Sequence, residues 1–206
     1  MSPIDTAPID AAAARSELIA RALAKAAEAH AGQIRNGSGG LPYIEHPRMA
    51  AATLAVRDYG EETLAAALLH DVVEDSDTTV EDLRAEFGDQ IADLVAALSD
   101  DQSIESYRER KDEHRGRVAD VDGDALAIYA ADKLANMTTL HAAIEAEGMR
   151  VADEYKVPIG LKLEVWEADA AMLRNEAPDL ALLDPLDAAI SRLEADLRAA
   201  TPRPCT

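Results

Sequence analysis

The dominance of alanine and leucine constrains this 206-residue chain most, because valine, isoleucine and threonine are scattered and never alternate over a strand's length. Alanine and leucine are strong helix formers, whereas strands favour β-branched and aromatic residues. Aromatic residues make up only 3% of the chain. The sequence therefore predicts an all-α fold, a compact arrangement of about eight to ten helices of ordinary length.

The chain length predicts one domain, since domains commonly run to roughly 100–200 residues. The hydrophobic fraction of 48% and the charged fraction of 29% are typical of a folded globular protein. No internal repeat or low-complexity linker divides the sequence. We expect a flexible N-terminal tail over residues 1–14, a single domain over 15–200 and a C-terminal tail over 201–206.

Turn and capping residues divide this domain into helices. A Gly-rich loop covers 33–42, and Pro47 and Gly60 suit the first turn and the end of the helix between them. Thr79 is predicted to cap a helix, with Asp82 completing a capping box. The other predicted elements are helices over 15–31, 61–73, 125–147 and 185–200, a charged helix or lid over 103–116, and a loop over 118–124.

The charge balance excludes several classes of partner. Forty acidic residues stand against 20 basic ones, for a net charge of -20. Such a chain is not expected to bind DNA or RNA polymers or an anionic membrane, although a small phosphorylated ligand remains compatible with it. The single cysteine, Cys205, permits no intrachain disulfide and no thiolate metal site. With no signal peptide and no uncharged apolar run of about 18 residues, we expect a cytoplasmic protein. The sequence gives no indication of the oligomeric state.

A cluster of ionisable residues interrupts an apolar helical run. The run 64–69 leads directly into His70 and Asp71, and Glu74 and Asp75 follow one helical turn later. Desolvating four such groups is costly unless something compensates, and a divalent cation would do so. The alternative is a helix end that frays into an ordinary acidic loop.

Two further residues extend this candidate site. His46 lies 24 residues before His70, which suits two consecutive antiparallel helices, although a packed or capping histidine is the alternative. Asp132 lies in an apolar helical run, so it should be liganded or else paired at the surface with Lys133 or an arginine. Asn136 follows one turn later. Two histidines and two aspartates form a mixed nitrogen and oxygen donor set that suits Mn²⁺ or Fe²⁺, and less decisively Zn²⁺.

Taken together, these motifs resemble the His-Asp (HD) superfamily of metal-dependent phosphohydrolases. More narrowly, they resemble the hydrolase domain of RelA/SpoT proteins and the stand-alone small alarmone hydrolases. The matching segments occur in family order between residues 29 and 140, namely 29–35, 41–47, 66–75, 78–88 and 130–137.

The resemblance implies an all-α HD fold with one Mn²⁺ and hydrolysis of the 3′-pyrophosphate of (p)ppGpp to GDP or GTP. The implied metal ligands are His46, His70, Asp71 and Asp132. Glu74 and Asp75 match the family's catalytic pair, where either could take a proton from water or orient it. The implied nucleotide contacts are Arg35, Asn136 and Thr139. Lys111 and Lys133 are candidate cations for the phosphates, the alternative being solvated side chains.

Departures from the family pattern fall on the substrate side. The family has Arg-Lys where this chain has Arg35-Asn36, and Lys162 is the only cation in the apolar stretch 157–166. Two alternatives therefore stay open. One is an HD phosphohydrolase for another nucleotide, such as an adenosine alarmone or another 3′-phosphorylated nucleotide, and the other is a non-enzymatic metal-binding helical module.

Overall fold

The computed structural model describes residues 4–121 and 123–200, and over these residues it contains helices and no strand. The predicted all-α fold is confirmed, with eleven α-helices in the described residues where about eight to ten were expected. A single isolated bridge pairs Ile34 with Pro42. The helices are α1 (Ala7–Ala13), α2 (Glu17–Ala29), α3 (Glu45–Ala55), α4 (Glu61–Leu69), α5 (Val72–Asp75), α6 (Val80–Phe87), α7 (Asp89–Leu98), α8 (Tyr107–Ala119), α9 (Gly123–Glu147), a 3₁₀ helix (Met149–Glu154), α10 (Ile159–Glu176) and α11 (Leu183–Ala200).

Helix α9 is the central element of the fold. Its residues are apolar around most of the circumference, which is typical of a helix buried on all sides. It packs against α3, α4, α7, α8, α10, α11 and the 3₁₀ helix. Ala127, Ala130 and Ala131 on α9, like Ala65–Ala67 on α4, are completely buried, so small side chains let the backbones approach closely. Asp132 lies near the middle of this buried helix.

The predicted tail over residues 1–14 differs from the structure. Residues 7–13 form α1, and Ile9 is completely buried in the hydrophobic core beside α2 and α3. Arg48 of α3 fixes the helix by donating to both carboxylate oxygens of Asp10, at 2.8 and 2.7 Å. The apolar contact and the ion pair are both distant in sequence, which is why local composition did not reveal them. The predicted C-terminal tail over 201–206 lies outside the described residues.

Local signals predicted some boundaries better than others. The capping box is confirmed, since Thr79 Oγ1 accepts from the Asp82 amide at 3.1 Å and the Asp82 carboxylate accepts from the Thr79 amide at 2.9 Å. The predicted loop over 118–124 is wrong at both ends, because α8 continues to Ala119 and α9 begins at Gly123. None of the described helices combines the length and apolar character needed to cross a bilayer.

Candidate metal centre and active site

Three helices bring four predicted ligands to one point. His46 lies in the first turn of α3, His70 and Asp71 occupy the break between α4 and α5, and Asp132 projects from α9. The ligand atoms of His46, His70 and Asp132 all lie within 4.8 Å of one another. Asp71 approaches the same point, with its oxygens 3.2 Å from His70 Nε2 and 3.4 Å from His46 Nε2. The predicted helix over 61–73 is therefore interrupted where the ligands lie.

Neighbouring groups orient these ligands. His70 Nδ1 lies 2.8 Å from the Ala67 carbonyl oxygen, which can only accept a hydrogen bond. Nδ1 therefore carries the hydrogen, and in the neutral ring the lone pair on Nε2 faces the cluster. The Tyr43 hydroxyl donates to Asp71 Oδ2 at 2.9 Å, and Asn136 Nδ2 donates to Asp132 Oδ1 at 2.6 Å. Such outer contacts are typical of metal sites.

The electrostatics of the cluster fit a bound cation. Burial lowers the pKa of His46 to about 4, so this ring is neutral near pH 7. Burial also opposes the charge of His70, but the Asp71 and Asp132 carboxylates outweigh it and raise that pKa to about 9. In the absence of a metal, the protonated His70 ring is the cation that faces the Asp71 and Asp132 carboxylates. A divalent cation, which binds neutral imidazole and carboxylate oxygen, fits this donor set.

The two acids of the predicted catalytic pair occupy different environments. Glu74 lines the cleft beside the ligands, where Oε1 accepts from the Asp100 amide at 2.8 Å and Oε2 from Gln102 Nε2 at 3.2 Å. Burial, followed by the nearby Asp71 and Asp100 carboxylates, raises the pKa of Glu74 to about 7. Asp75 is exposed and lies outside the cleft lining. The structure therefore brings Glu74, but not Asp75, to the lining of this cleft.

Four of the five predicted substrate contacts line the cleft, namely Arg35, Lys111, Lys133 and Asn136. Arg35 donates to Asn136 Oδ1, and Lys133 Nζ donates to Asp132 Oδ2 at 2.7 Å. Lys111 Nζ donates to Asp100 Oδ2 at 2.5 Å. Thr139 does not line the cleft, because it is buried with Oγ1 3.8 Å from Met49 Sδ, where α3 packs on α9. Asp132 and Lys133 do pair, but Lys133 is buried, so the surface pair considered above is not what forms.

The cleft also contains residues that were not predicted as site residues. It holds about 650 Å³ of empty space, part of it open to solvent. Lys162 lies over the rings of Tyr155 and Trp166, with Nζ 4.4 and 5.5 Å from their centroids. Its sequence signal was its position as the only cation of an apolar stretch. Burial, and then the positive charges of Lys111, Arg35 and Lys133, lower its pKa to about 8. The remaining unpredicted lining residues are Tyr43, Leu98, Tyr107, His114, Val165 and Asp169.

The chemistry of the cleft contrasts with the rest of the surface. The chain as a whole carries a net charge of -20, yet Arg35, Lys111, Lys133 and Lys162 line this one cleft together with the candidate metal ligands. The cations and the candidate metal position are suited to binding an anionic group, and Glu74, whose pKa is raised, is suited to transferring a proton next to that group. The site can therefore support metal-assisted hydrolysis of a phosphorylated ligand.

Comparisons with known proteins find a matching family model, named relatives and a similar solved structure. The HD domain family model matches residues 22–157. The chain is 33% identical over 171 residues to the guanosine-3′,5′-bis(diphosphate) 3′-pyrophosphohydrolase of Aquifex aeolicus, covering 81% of this chain but only 24% of that protein. It is 40% identical over 122 residues to the protein named guanosine-3′,5′-bis(diphosphate) 3′-pyrophosphohydrolase MESH1 of Danio rerio, covering 56% of this chain and 65% of that one. The solved structure of a metazoan ortholog of SpoT, described as hydrolysing ppGpp, superposes with a TM-score of 0.72 at 28% identity. The superposition covers 86% of this chain and 96% of the ortholog.

The match to the family model extends over well more than half of the chain and includes all four candidate metal ligands, Glu74 and Asn136. The chain belongs to the HD domain family.

Proposed function

We propose that this protein is a divalent-metal-dependent phosphohydrolase that removes the 3′-pyrophosphate from ppGpp and pppGpp, giving GDP or GTP and pyrophosphate. The observation that carries the proposal is the convergence of two histidines and two aspartates beside Glu74, in a cleft lined by four cations. The names of the relatives support the choice of substrate.

The metal would be held by His46, His70, Asp71 and Asp132. We propose Mn²⁺, with Fe²⁺ and Zn²⁺ as alternatives, because the donor set mixes imidazole nitrogen with carboxylate oxygen and has no thiolate. When bound, such an ion polarises a phosphoryl oxygen and lowers the pKa of water.

Among the residues of the chain, we assign proton transfer to Glu74. A general base works best with a pKa near the operating pH, and the pKa of Glu74 is raised to about 7. In the proposed step, the oxygen of water attacks the phosphorus joined to the 3′ oxygen and the bond between those two atoms breaks. Glu74 takes a proton from the water and later releases it to the solvent, and the 3′ oxygen leaves the phosphorus and takes a proton from the solvent. Asp75 was predicted to share this task, but its exposed position makes Glu74 the better candidate.

The cleft cations would neutralise the phosphates of the substrate. Arg35, Lys111, Lys133 and Lys162 supply positive charge, and Asn136 connects Arg35 to the ligand Asp132. Fixed charges of this kind stabilise a phosphoryl transition state without reorganisation. We further propose a small nucleotide as the partner, because the net charge of -20 opposes binding to nucleic acid polymers. We also propose a cytoplasmic location.

The test is to incubate the purified protein with ppGpp and Mn²⁺, with and without EDTA, and to separate the products by ion-exchange chromatography. We expect GDP and pyrophosphate, and loss of both with EDTA. Glu74→Gln should abolish turnover, whereas Glu105→Gln, at an exposed acid, should leave it unchanged. Absence of turnover by the wild-type protein loaded with Mn²⁺ contradicts the proposal.

Hydrolysis of another 3′-phosphorylated nucleotide is the second candidate. It is favoured by Asn36, which replaces the second cation of the family's Arg-Lys pair and is exposed, so that of these two residues only Arg35 lines the cleft. A panel of ppGpp, its adenosine counterpart and GTP distinguishes the two. Turnover of the adenosine nucleotide alone would replace the guanosine assignment, and a preference for GTP would reject both.

A further inference from the structure

A buried acid on α10 has no role in the chemistry proposed above. Asp169 is completely buried, and its Oδ1 accepts two hydrogen bonds. The Tyr129 hydroxyl donates to it at 2.9 Å, and Arg115 Nε donates at 2.8 Å. A buried carboxylate is costly unless paired in this way, so the arrangement calls for an explanation.

The Tyr129 ring connects this acid to Lys133. Tyr129 and Lys133 lie one helical turn apart on α9, and Lys133 Nζ is 4.1 Å from the centroid of the Tyr129 ring. The His114 ring packs edge-on against the Tyr129 ring, with 5.3 Å between the two centroids. The hydroxyl of Tyr129 is held by Asp169, so the ring on which the ammonium rests is fixed at its far end.

Lys133 in turn contacts the oxygen of Asp132 that faces away from the histidines, while Asn136 contacts the other oxygen. Lys133 Nζ donates to Asp132 Oδ2 at 2.7 Å, whereas Asp132 Oδ1 lies 3.1 Å from His46 Nε2. A lysine side chain has four carbon–carbon bonds to rotate about and needs a support to hold one position. If the ammonium moved, Asp132 Oδ2 would lose its contact, and Asn136 alone would hold the carboxylate.

We propose that Asp169 is a positioning residue for the metal centre: through the Tyr129 hydroxyl it holds the ring that supports Lys133, and Lys133 keeps Oδ1 of Asp132 directed at the two histidines. The inference rests on the metal site of the proposed function. Asp169 acts here through other residues, since its hydrogen bonds go to Tyr129 and Arg115 and not to the ligands.

The test measures Mn²⁺ affinity in the absence of nucleotide, by titration calorimetry on metal-free protein. Tyr129→Phe removes only the hydroxyl and keeps the ring, and we expect it to weaken Mn²⁺ binding about 10-fold, the size typical of losing an outer contact. Asp169→Leu, which removes the acceptor oxygens as well as the charge, should weaken binding at least as much. The double variant should bind no more weakly than Asp169→Leu alone, because both changes break the same contact. Circular dichroism and thermal unfolding report separately on the fold.

Asp112→Asn is the matched control. Asp112 is exposed and accepts from Arg115 at 2.7 Å, so this variant disturbs the same arginine without touching Tyr129, and it should bind Mn²⁺ like the wild type. A Tyr129→Phe variant with wild-type Mn²⁺ affinity overturns the inference, whatever its thermal stability. A double variant whose loss of Mn²⁺ affinity equals the sum of the two single losses also overturns it. If Asp169→Leu does not fold, Tyr129→Phe and Asp112→Asn decide the matter. A wild-type protein that binds Mn²⁺ but leaves ppGpp intact overturns the proposed function and not this inference.

Discussion

Replacing Glu74 by glutamine should inactivate the protein and at the same time stabilise it. The cleft raises the pKa of this carboxyl from its ordinary 4.5 to about 7, with burial as the largest cause. Between these two pH values the folded state holds a proton that the unfolded state has released, so stability falls as the pH rises. The resulting cost is complete above pH 7, and glutamine, which is neutral at every pH, does not carry it.

The size of the effect follows from the pKa. One pKa unit corresponds to about 1.4 kcal/mol, so the change from 4.5 to about 7 amounts to about 3 kcal/mol as an upper value. Glutamine can still accept from the Asp100 amide, which limits any new cost of unpaired groups.

Urea unfolding of metal-free protein at pH 8 and pH 4 provides the measurement. At pH 8 we expect Glu74→Gln to be more stable than the wild type by up to about 3 kcal/mol, and at pH 4 we expect the two to unfold together. Glu105→Gln is the control at both pH values and should show no difference. Equal stabilities of Glu74→Gln and the wild type at pH 8 would refute the reasoning, because the carboxylate would then carry no burial cost.

Three further changes test the site and the fold. Asp132→Ala should abolish Mn²⁺ binding and turnover, while its circular dichroism spectrum should remain that of a helical protein. Retained turnover in metal-clean buffer would contradict the ligand assignment. Thr139→Val should leave kcat/KM for ppGpp within about twofold, since Thr139 lies outside the cleft, and a tenfold loss would show that it contacts the nucleotide after all. Ile9→Ala should lower the free energy of unfolding by about 2–5 kcal/mol because Ile9 is fully buried, whereas a value near zero in urea unfolding would support a loose tail.

The success of the sequence predictions depended on how local each signal was. The capping box at Thr79 and Asp82 is formed within four residues, and it was predicted correctly. The long apolar run of α9 likewise identified a buried helix to within a few residues. Ile9 was missed because its burial depends on α2 and α3, which no pattern within residues 1–14 encodes.

The candidate site shows the same limit at the level of single residues. Glu74 and Asp75 are adjacent and chemically alike, and only the start of α5 after the helix break decides which of them lines the cleft. Thr139 lies two turns after Asp132, but the packing of α3 on α9 directs it to Met49 instead of the cleft. Asp169 was not predicted, because its significance arises from Tyr129 and Arg115, which lie 40 and 54 residues away.

The position of the proposed ligands on α3, at the end of α4 and in the middle of α9 has a consequence for the resistance of the protein to unfolding. These helices also pack against one another to form the centre of the core, so an ion bound between them would act as a cross-link that the unfolded chain does not have. At a free metal concentration 100 times the dissociation constant, such an ion adds about 2.7 kcal/mol to the free energy of unfolding. Metal supply would then set the abundance of the folded protein as well as its rate of turnover, and a thermal unfolding curve would serve as a measure of metal loading.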